Sequence, residues 1–421
     1  MEANIISKDS NSITIEIKIP VSKSMLKTEE DIQKALNMAG QKATAHALSC
    51  FDTNGEPIVI GESKYTSKGR VSKKYQTPYG EIELERHVYQ GPSGGSTFCP
   101  LDNSARIIVG STPKFSKQVS SKYSEGGSKR VQVDLEENHS RYISRSFIQD
   151  ISEAVGKGLL EKQESWNYTI PVEPDSVSSI GISLDGTCML MVGEGYRQAM
   201  VGTISLYNKD GERLYTHYTS VAPEYGKETF IASFEREIQR AKSSYSNAVR
   251  IGIADGARDN WQFLEKHTSY QILDFYHASE YITLVSESVF RFKDERVAWA
   301  GKMAHKLKHE QNGAREILEE MKGYRKKKLS EKKKQDLERA VTYFNNHVHQ
   351  MNYPLYTSKN YPIGSGVVEA ACKVIIKQRL CNSGMRWKTE GANTVLCLRC
   401  FNYTDTKWAQ TWDKINKYGL R

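Results

Sequence analysis

Ser179-Ile-Gly-Ile-Ser-Leu-Asp-Gly-Thr187 decides how the chain is read. Ile180, Ile182 and Leu184 alternate with small residues, the pattern of a buried or half-buried strand. The strand is expected to end at Asp185, with Gly186 and Thr187 after it. A carboxylate at the edge of an apolar run needs a partner or an ion. A second stretch, Val249-Arg-Ile-Gly-Ile-Ala-Asp-Gly256, repeats the design and ends in Asp255. Two Asp-Gly endings read as two strands delivering carboxylates to one place. A third acid, Glu369, stands in Gly364-Ser-Gly-Val-Val-Glu-Ala-Ala371. There Ser365 reads as a helix cap and Glu369 as lying one turn in.

Outward from that stretch, residues 177–278 read as three strands, a helix, a strand, a helix and a strand. The second and third strands are expected at Gln198–Tyr207 and Arg213–Val221, with Asn208-Lys-Asp-Gly211 as their turn. A helix follows at Lys227–Ser243, then the strand ending in Asp255, a short helix at Arg258–His267 and a fifth strand at Tyr270–Tyr276. Antiparallel strands followed by parallel ones make an α/β fold in the order of an RNase H-like core. Residues 279–360 read as an all-helical, strongly charged insertion. It carries the basic run Lys322-Gly-Tyr-Arg-Lys-Lys-Lys328 and Lys332-Lys-Lys334. A solvated helical face and a phosphate-contacting surface both fit that run. Residues 361–400 return to apolar periodicity, and 361–421 read as the C-terminal helices of the core.

Upstream, residues 1–61 pair an alternating segment, Ser12–Ile19, with a helix from Thr28 to Ser49. Leu36, Ala39, Ala43 and Ala47 fall on one helical face, for packing or oligomerisation. Residues 62–112 are β-rich, with a hairpin arm at Thr77–Tyr89 after Pro78 and Gly80. Residues 113–165 read as helices at Phe115–Tyr123, Lys129–Asn138 and Ser144–Gly158, with Ser144 as an N-cap. The last pair resembles a helix-turn-helix, which would place Arg145 and Gln149 against DNA. A plain helical linker is the competing reading.

The chain has 421 residues, a net charge of +9 and seven cysteines. This length predicts several domains around a sizeable core. No apolar run approaches the roughly 18 residues of a membrane span, and no secretory signal is visible. The odd, scattered cysteines fit reduced thiols in a cytoplasmic setting. Cys397-Leu-Arg-Cys400 lacks a second ligand pair and reads as a helical core pair. The positive charge permits an anionic partner without requiring one.

Three acids suit phosphodiester chemistry, which needs an in-line nucleophile and neutralised phosphate charge. Two Mg²⁺ ions roughly 4 Å apart supply both, and Mg²⁺ takes few carboxylates. Asp185 is the natural shared ligand, with Asp255 on one metal and Glu369 on the other. Asp274 and His277, in Asp274-Phe-Tyr-His277, could face these acids and position DNA; a hydrogen-bonded core histidine is the alternative. Arg379, Arg386 and Lys388 surround Trp387, a set able to hold phosphate and stack on a base. Trp387 as plain core fits equally.

Together, Ser183-Leu-Asp-Gly-Thr187, Ile253-Ala-Asp-Gly256, Asp274-Phe-Tyr-His277, Gly364-Ser-Gly-Val-Val-Glu369 and Arg379-Leu-Cys-Asn-Ser-Gly-Met-Arg-Trp387 resemble bacterial insertion-sequence transposases of the DDE type. The nearest group is the Kra-type family, related to the Mutator-like transposases. The resemblance covers about residues 62–400. It implies an RNase H-like core, a helical insertion before the last acid, and Mg²⁺-dependent DNA cleavage and strand transfer, with Mn²⁺ as a substitute. It also implies double-stranded DNA partners, namely element ends and target, a nucleoid-associated cytoplasmic location, and a homodimer or higher assembly that holds two ends. Asp274 and His277 match the family's Asp-x-x-His signature, and residues 134–155 its upstream helix-turn-helix. Many relatives carry cysteine pairs where this chain has Gly91 to Cys99, and those pairs are absent here. An inactive transposase-derived DNA-binding protein and an RNase H-like nuclease remain open.

Overall fold

The structure is a computed structural model that describes residues 2–9 and 11–420. It is mixed α/β and divides into two compact units. The first comprises residues up to Tyr168 together with Cys397–Asn402 and the segment from Lys407 onward; the second comprises Thr169–Leu396 and Tyr403–Thr406.

The first unit opens with the hairpin β1 (Glu2–Lys8) and β2 (Ile13–Lys18) and the helix α1 (Met25–Ser49). The expected apolar face of α1 is not the packed one. Leu36 is 51% exposed and Ala47 is also exposed, while Thr28, Ala35, Asn37 and Leu48 are buried. The helix lies against β1, β2 and β5, so the buried face is chosen by that tertiary contact over hydrophobicity alone. Next come β3 (Ile58–Ile60), β4 (Ser63–Gln76) and β5 (Glu81–Gln90), an antiparallel sheet in that order. Its hairpin turn falls at Thr77–Gly80, where the Thr77 hydroxyl accepts from the amides of Tyr79 and Gly80 at 3.1 Å each. After α2 (Pro100–Ser104), three helices follow: α3 (Pro113–Glu125), α4 (Ser128–His139) and α5 (Arg145–Lys162). Phe115, Val119, Leu135, Ile148, Ile151 and Val155 form their buried faces. Ser144 caps α5 as expected, accepting from the Phe147 amide at 3.2 Å.

The second unit is built on a five-stranded sheet in the order β10-β9-β6-β7-β8. These strands are β6 (Ser179–Met191), β7 (Gly195–Tyr207), β8 (Arg213–Val221), β9 (Val249–Ala254) and β10 (Tyr270–Leu273). β6, β7 and β8 are antiparallel neighbours, whereas β9 and β10 run parallel to β6. The crossovers hold α6 (Glu228–Ser244) and α7 (Arg258–Leu264). Contrary to expectation, β6 does not end at Asp185. It continues to Met191 because β7 keeps pairing with it, out to Gly195.

Asp274 is likewise not in the fifth strand. β10 stops at Leu273, and Asp274 is the N-cap of α8 (Phe275–Val289), its side chain accepting from the His277 amide at 2.7 Å. The insertion is helical throughout, with α8 leading into α9 (Lys293–His309), α10 (Gly313–Gly323), α11 (Glu331–His347) and α12 (Tyr353–Ser358). It shares one hydrophobic core with the sheet, from Ile180 and Phe234 through Val285 and Phe344. α13 (Gly366–Ala371), a π-helical segment (Cys372–Lys377) and α14 (Gln378–Leu380) follow.

The final helices, α15 (Thr389–Tyr403) and α16 (Lys407–Tyr418), do not all stay with the sheet. Cys397–Asn402 and α16 join the first unit. There the buried Arg399 donates to the Ser124 carbonyl at 2.5 Å, and Phe401 meets Tyr168 edge-on. The Cys397–Cys400 pair is buried in that packing, as a core pair should be. No helix among the described residues is long and apolar enough to cross a membrane.

Candidate active site

The β6–β9 register fixes the first two acids. Ser179 pairs with Val249 and Ile182 with Gly252, a constant offset of 70. Carried three residues past the last pair, the same offset matches Asp185 with Asp255. Both residues thus lie three positions past the last paired ones, Asp185 within β6 and Asp255 just after β9. They line a cavity of about 290 Å³ together with Gly186, Gln198, Lys227 and Arg258.

Burial raises the Asp185 carboxyl above its ordinary value, and the negative charges of Asp255 and Glu369 raise it further. Two donors oppose the shift. The Gly186 amide donates to one carboxylate oxygen at 2.6 Å, and the Cys372 thiol to the other at 3.5 Å. Cys372 lies three residues after Glu369, on the same side of its helix. The thiol's own titration is pushed up, first by its burial and then by Asp185.

Asp255 is held from the insertion. Tyr343, on α11, donates its hydroxyl to the Asp255 carbonyl at 2.7 Å. Gly256 follows with φ +115, and a Cβ there would stand 3.0 Å from the Tyr343 ring and 3.2 Å from His347. Both the backbone angle and the close approach require glycine.

Glu369 is held from below. Ser365 does not cap α13 with its side chain as expected. Its hydroxyl lies 2.5 Å from a Glu369 carboxylate oxygen and also reaches Asp274. With one proton, the hydroxyl donates to one of these carboxylates at a time. The Ser365 amide adds a bond to Asp274 at 2.5 Å. Glu369 is exposed and is not part of the cavity lining; its charge acts on both Asp185 and Cys372.

The remaining candidates separate by exposure. Asp274 is only 1% exposed and its oxygens serve His277 and Ser365, so it is a clamp between helix starts and not a DNA-facing group. Arg379 is 2% exposed and stacks over Trp387 at 5.2 Å. Trp387 is half-buried, gives its indole N–H to Leu380 and pairs its backbone with the end of β6. These two residues belong to packing because the segment is tied back onto the sheet. Arg386 and Lys388 flank that tie and are exposed, as are Arg145 and Gln149 on α5. His277 is partly exposed, lies 3.2 Å from Glu280 and packs edge-on against Tyr281 and Tyr343. Within the basic run, Lys322, Arg325 and Lys334 pair with Glu319, Glu338 and Glu331, which favours a solvated helical face for those three.

Among the described residues, no three or more His, Cys, Asp or Glu side chains are grouped to hold a metal ion. Asp185 and Asp255 line the cavity, and Glu369 acts on Asp185 through its charge. A carboxyl made unfavourable to ionise by burial and two neighbouring acids is also one that a cation would relieve. Cys372, Tyr343 and the Ser365–Asp274 link escaped the sequence reading; only Cys372 carried a signal, its helical spacing from Glu369. Comparison with protein-family models and with curated proteins finds no match for the chain.

Proposed function

We propose that the chain is a DDE-type transposase that binds the ends of its own mobile element and cuts and joins DNA. The observation that carries this reading is the constant β6–β9 offset, which brings Asp185 level with Asp255 while Glu369 lies within electrostatic reach. The strand order, with β6 between an antiparallel pair and a parallel pair, supports an RNase H-like core. The helical insertion before Glu369 and the α4–α5 pair support a protein that must grip DNA ends as well as cut them.

In this reading Asp185 is the shared metal ligand, Asp255 the second ligand on one side and Glu369 on the other. Bound Mg²⁺ would supply charge neutralisation at the phosphate and an activated oxygen nucleophile. The protein's own part is placement. Gly186 and Cys372 fix the rotation of the Asp185 carboxylate, Tyr343 fixes the strand end at Asp255, and Ser365 sets Glu369. Arg386, Lys388 and His277 are exposed enough to meet DNA near the reacting phosphate.

The test is a strand-transfer assay with labelled DNA flanking the coding region, supercoiled target and Mg²⁺. Joined product from wild type, and none from Asp185→Asn, Asp255→Asn or Glu369→Gln with DNA binding intact, is the expected result. Binding without cleavage by wild type would replace the reading with an inactive DNA-binding derivative. Cleavage without joining would replace it with a nuclease.

A further inference from the structure

The carboxylate cavity is also lined by two cations, Lys227 and Arg258. Neither forms an ion pair with any described residue, although Asp185, Asp255 and Asp259 line the same space. Lys227 is half-buried and enters from the loop between β8 and α6; Arg258 is exposed and opens α7. We infer that Lys227 and Arg258 form a phosphate clamp that holds the DNA strand over the acid pair, an inference that rests on the transposase reading.

The loop carrying Lys227 is held in an unfavourable shape. Gly226 has φ +86 and Lys227 φ +61, a left-handed conformation that costs a side-chain-bearing residue energy. The loop is fixed on its far side by Glu224, whose carboxylate accepts from the Phe230 amide at 2.9 Å and the Thr229 amide at 3.3 Å. Lys227 is the N-cap residue of α6 and its carbonyl accepts from the Ile231 amide at 2.9 Å, but with Glu224 supplying the side-chain cap the Lys227 ammonium makes no capping bond. On the near side, Arg197 stacks over Tyr225 at 4.1 Å, and its neighbour Gln198 lines the cavity. The left-handed turn, the Glu224 cap and the Arg197–Tyr225 stack shape the loop from which Lys227 lines the cavity.

An amine and a guanidinium that line a carboxylate cavity without pairing are free to meet an anion that enters it. A phosphodiester has the matching charge and two non-bridging oxygens. The geometry calls for a point-charge contact from Lys227 and a planar, forked one from Arg258. These are contacts to the backbone, so they are independent of base sequence.

The experiment measures binding of a fluorescein-labelled, random-sequence DNA duplex to the full chain across a salt series. Ca²⁺ replaces Mg²⁺ so that binding is read without cleavage. Lys227→Gly suits the positive φ and removes the amine; Lys227→Arg restores the charge; Arg258→Gln tests the second jaw. Lys227→Gly and Arg258→Gln should each lower the salt slope by about one, weaken binding several-fold and leave the melting temperature no lower than wild type. Lys227→Arg should recover the slope. Wild-type slope and affinity in both charge-removing variants would overturn the clamp even if wild type cuts and joins DNA. A lowered slope in a protein that never cuts or joins would overturn the transposase reading and leave the clamp standing. No DNA binding by wild type would overturn both.

Discussion

Tyr343 donates its hydroxyl to the carbonyl oxygen of Asp255 at 2.7 Å, so a helix of the insertion is bonded to the backbone of a sheet carboxylate. Burial pushes the phenol's titration upward, keeping it a donor at any working pH. Tyr343→Phe should therefore cost about 0.5–1.5 kcal/mol, measured by urea unfolding. If Tyr343 also positions Asp255, catalytic turnover should fall by more than this stability loss predicts, with DNA affinity unchanged.

Asp185 gives a pH signature. Its folded titration lies above the ordinary value of 3.8, so the folded state holds the proton more tightly than the unfolded state. Stability then falls as pH rises through the window from about pH 4 upward to the raised value. Without divalent ions, Asp185→Asn should melt higher than wild type at pH 7, and the gap should close near pH 3. An unchanged gap at both pH values would rule out this source. Adding Mg²⁺ should raise the wild-type melting temperature and leave the variant's unchanged.

Asp274 tests the clamp. Asp274→Ala removes the α8 cap and leaves the buried Ser365 amide without its acceptor. The expected loss is about 2–4 kcal/mol, adding a lost cap to an unsatisfied buried donor. Denaturant unfolding measures it. A surface DNA contact would instead show weaker DNA binding and wild-type stability.

Arg145 and Gln149 test the α4–α5 reading. Both are exposed on the first turns of α5, so Arg145→Ala with Gln149→Ala should leave the melting temperature within a degree or two. On the transposase reading, affinity for the proposed element ends should drop at least tenfold, with little change on unrelated duplex, in a competition binding assay. Equal loss on both DNAs would mean backbone contact without base reading.

The strands were legible because their signals are local. Ile180, Ile182 and Leu184 alternate, and the 70-residue spacing of the Asp-Gly endings turned out to be the register offset itself. The end of β6 was misplaced because Gly186 reads as a turn, whereas its lack of a Cβ accommodates Gln198 from β7 inside a continuing strand. Asp274 was misread because an N-cap and a strand-end acid look alike until the next element is seen. Arg379 read as surface because charge predicts exposure, but a guanidinium stacked on an indole can be enclosed. Tyr343, 88 residues from Asp255, left no sequence trace at all.

The first unit is made from both ends of the described chain, and this sets an order of events during synthesis. Arg106 is bonded to the carbonyls of Asn416 and Lys417, and Ser124 to Arg399. Those partners are synthesised only after residues 169–396 of the sheet unit. At about 5–20 residues per second, the wait between Tyr168 and Cys397 is roughly 10–50 s. Through that interval Arg106 and Ser124 stand without these partners. The first unit is thus completed only after most of the sheet unit has been synthesised.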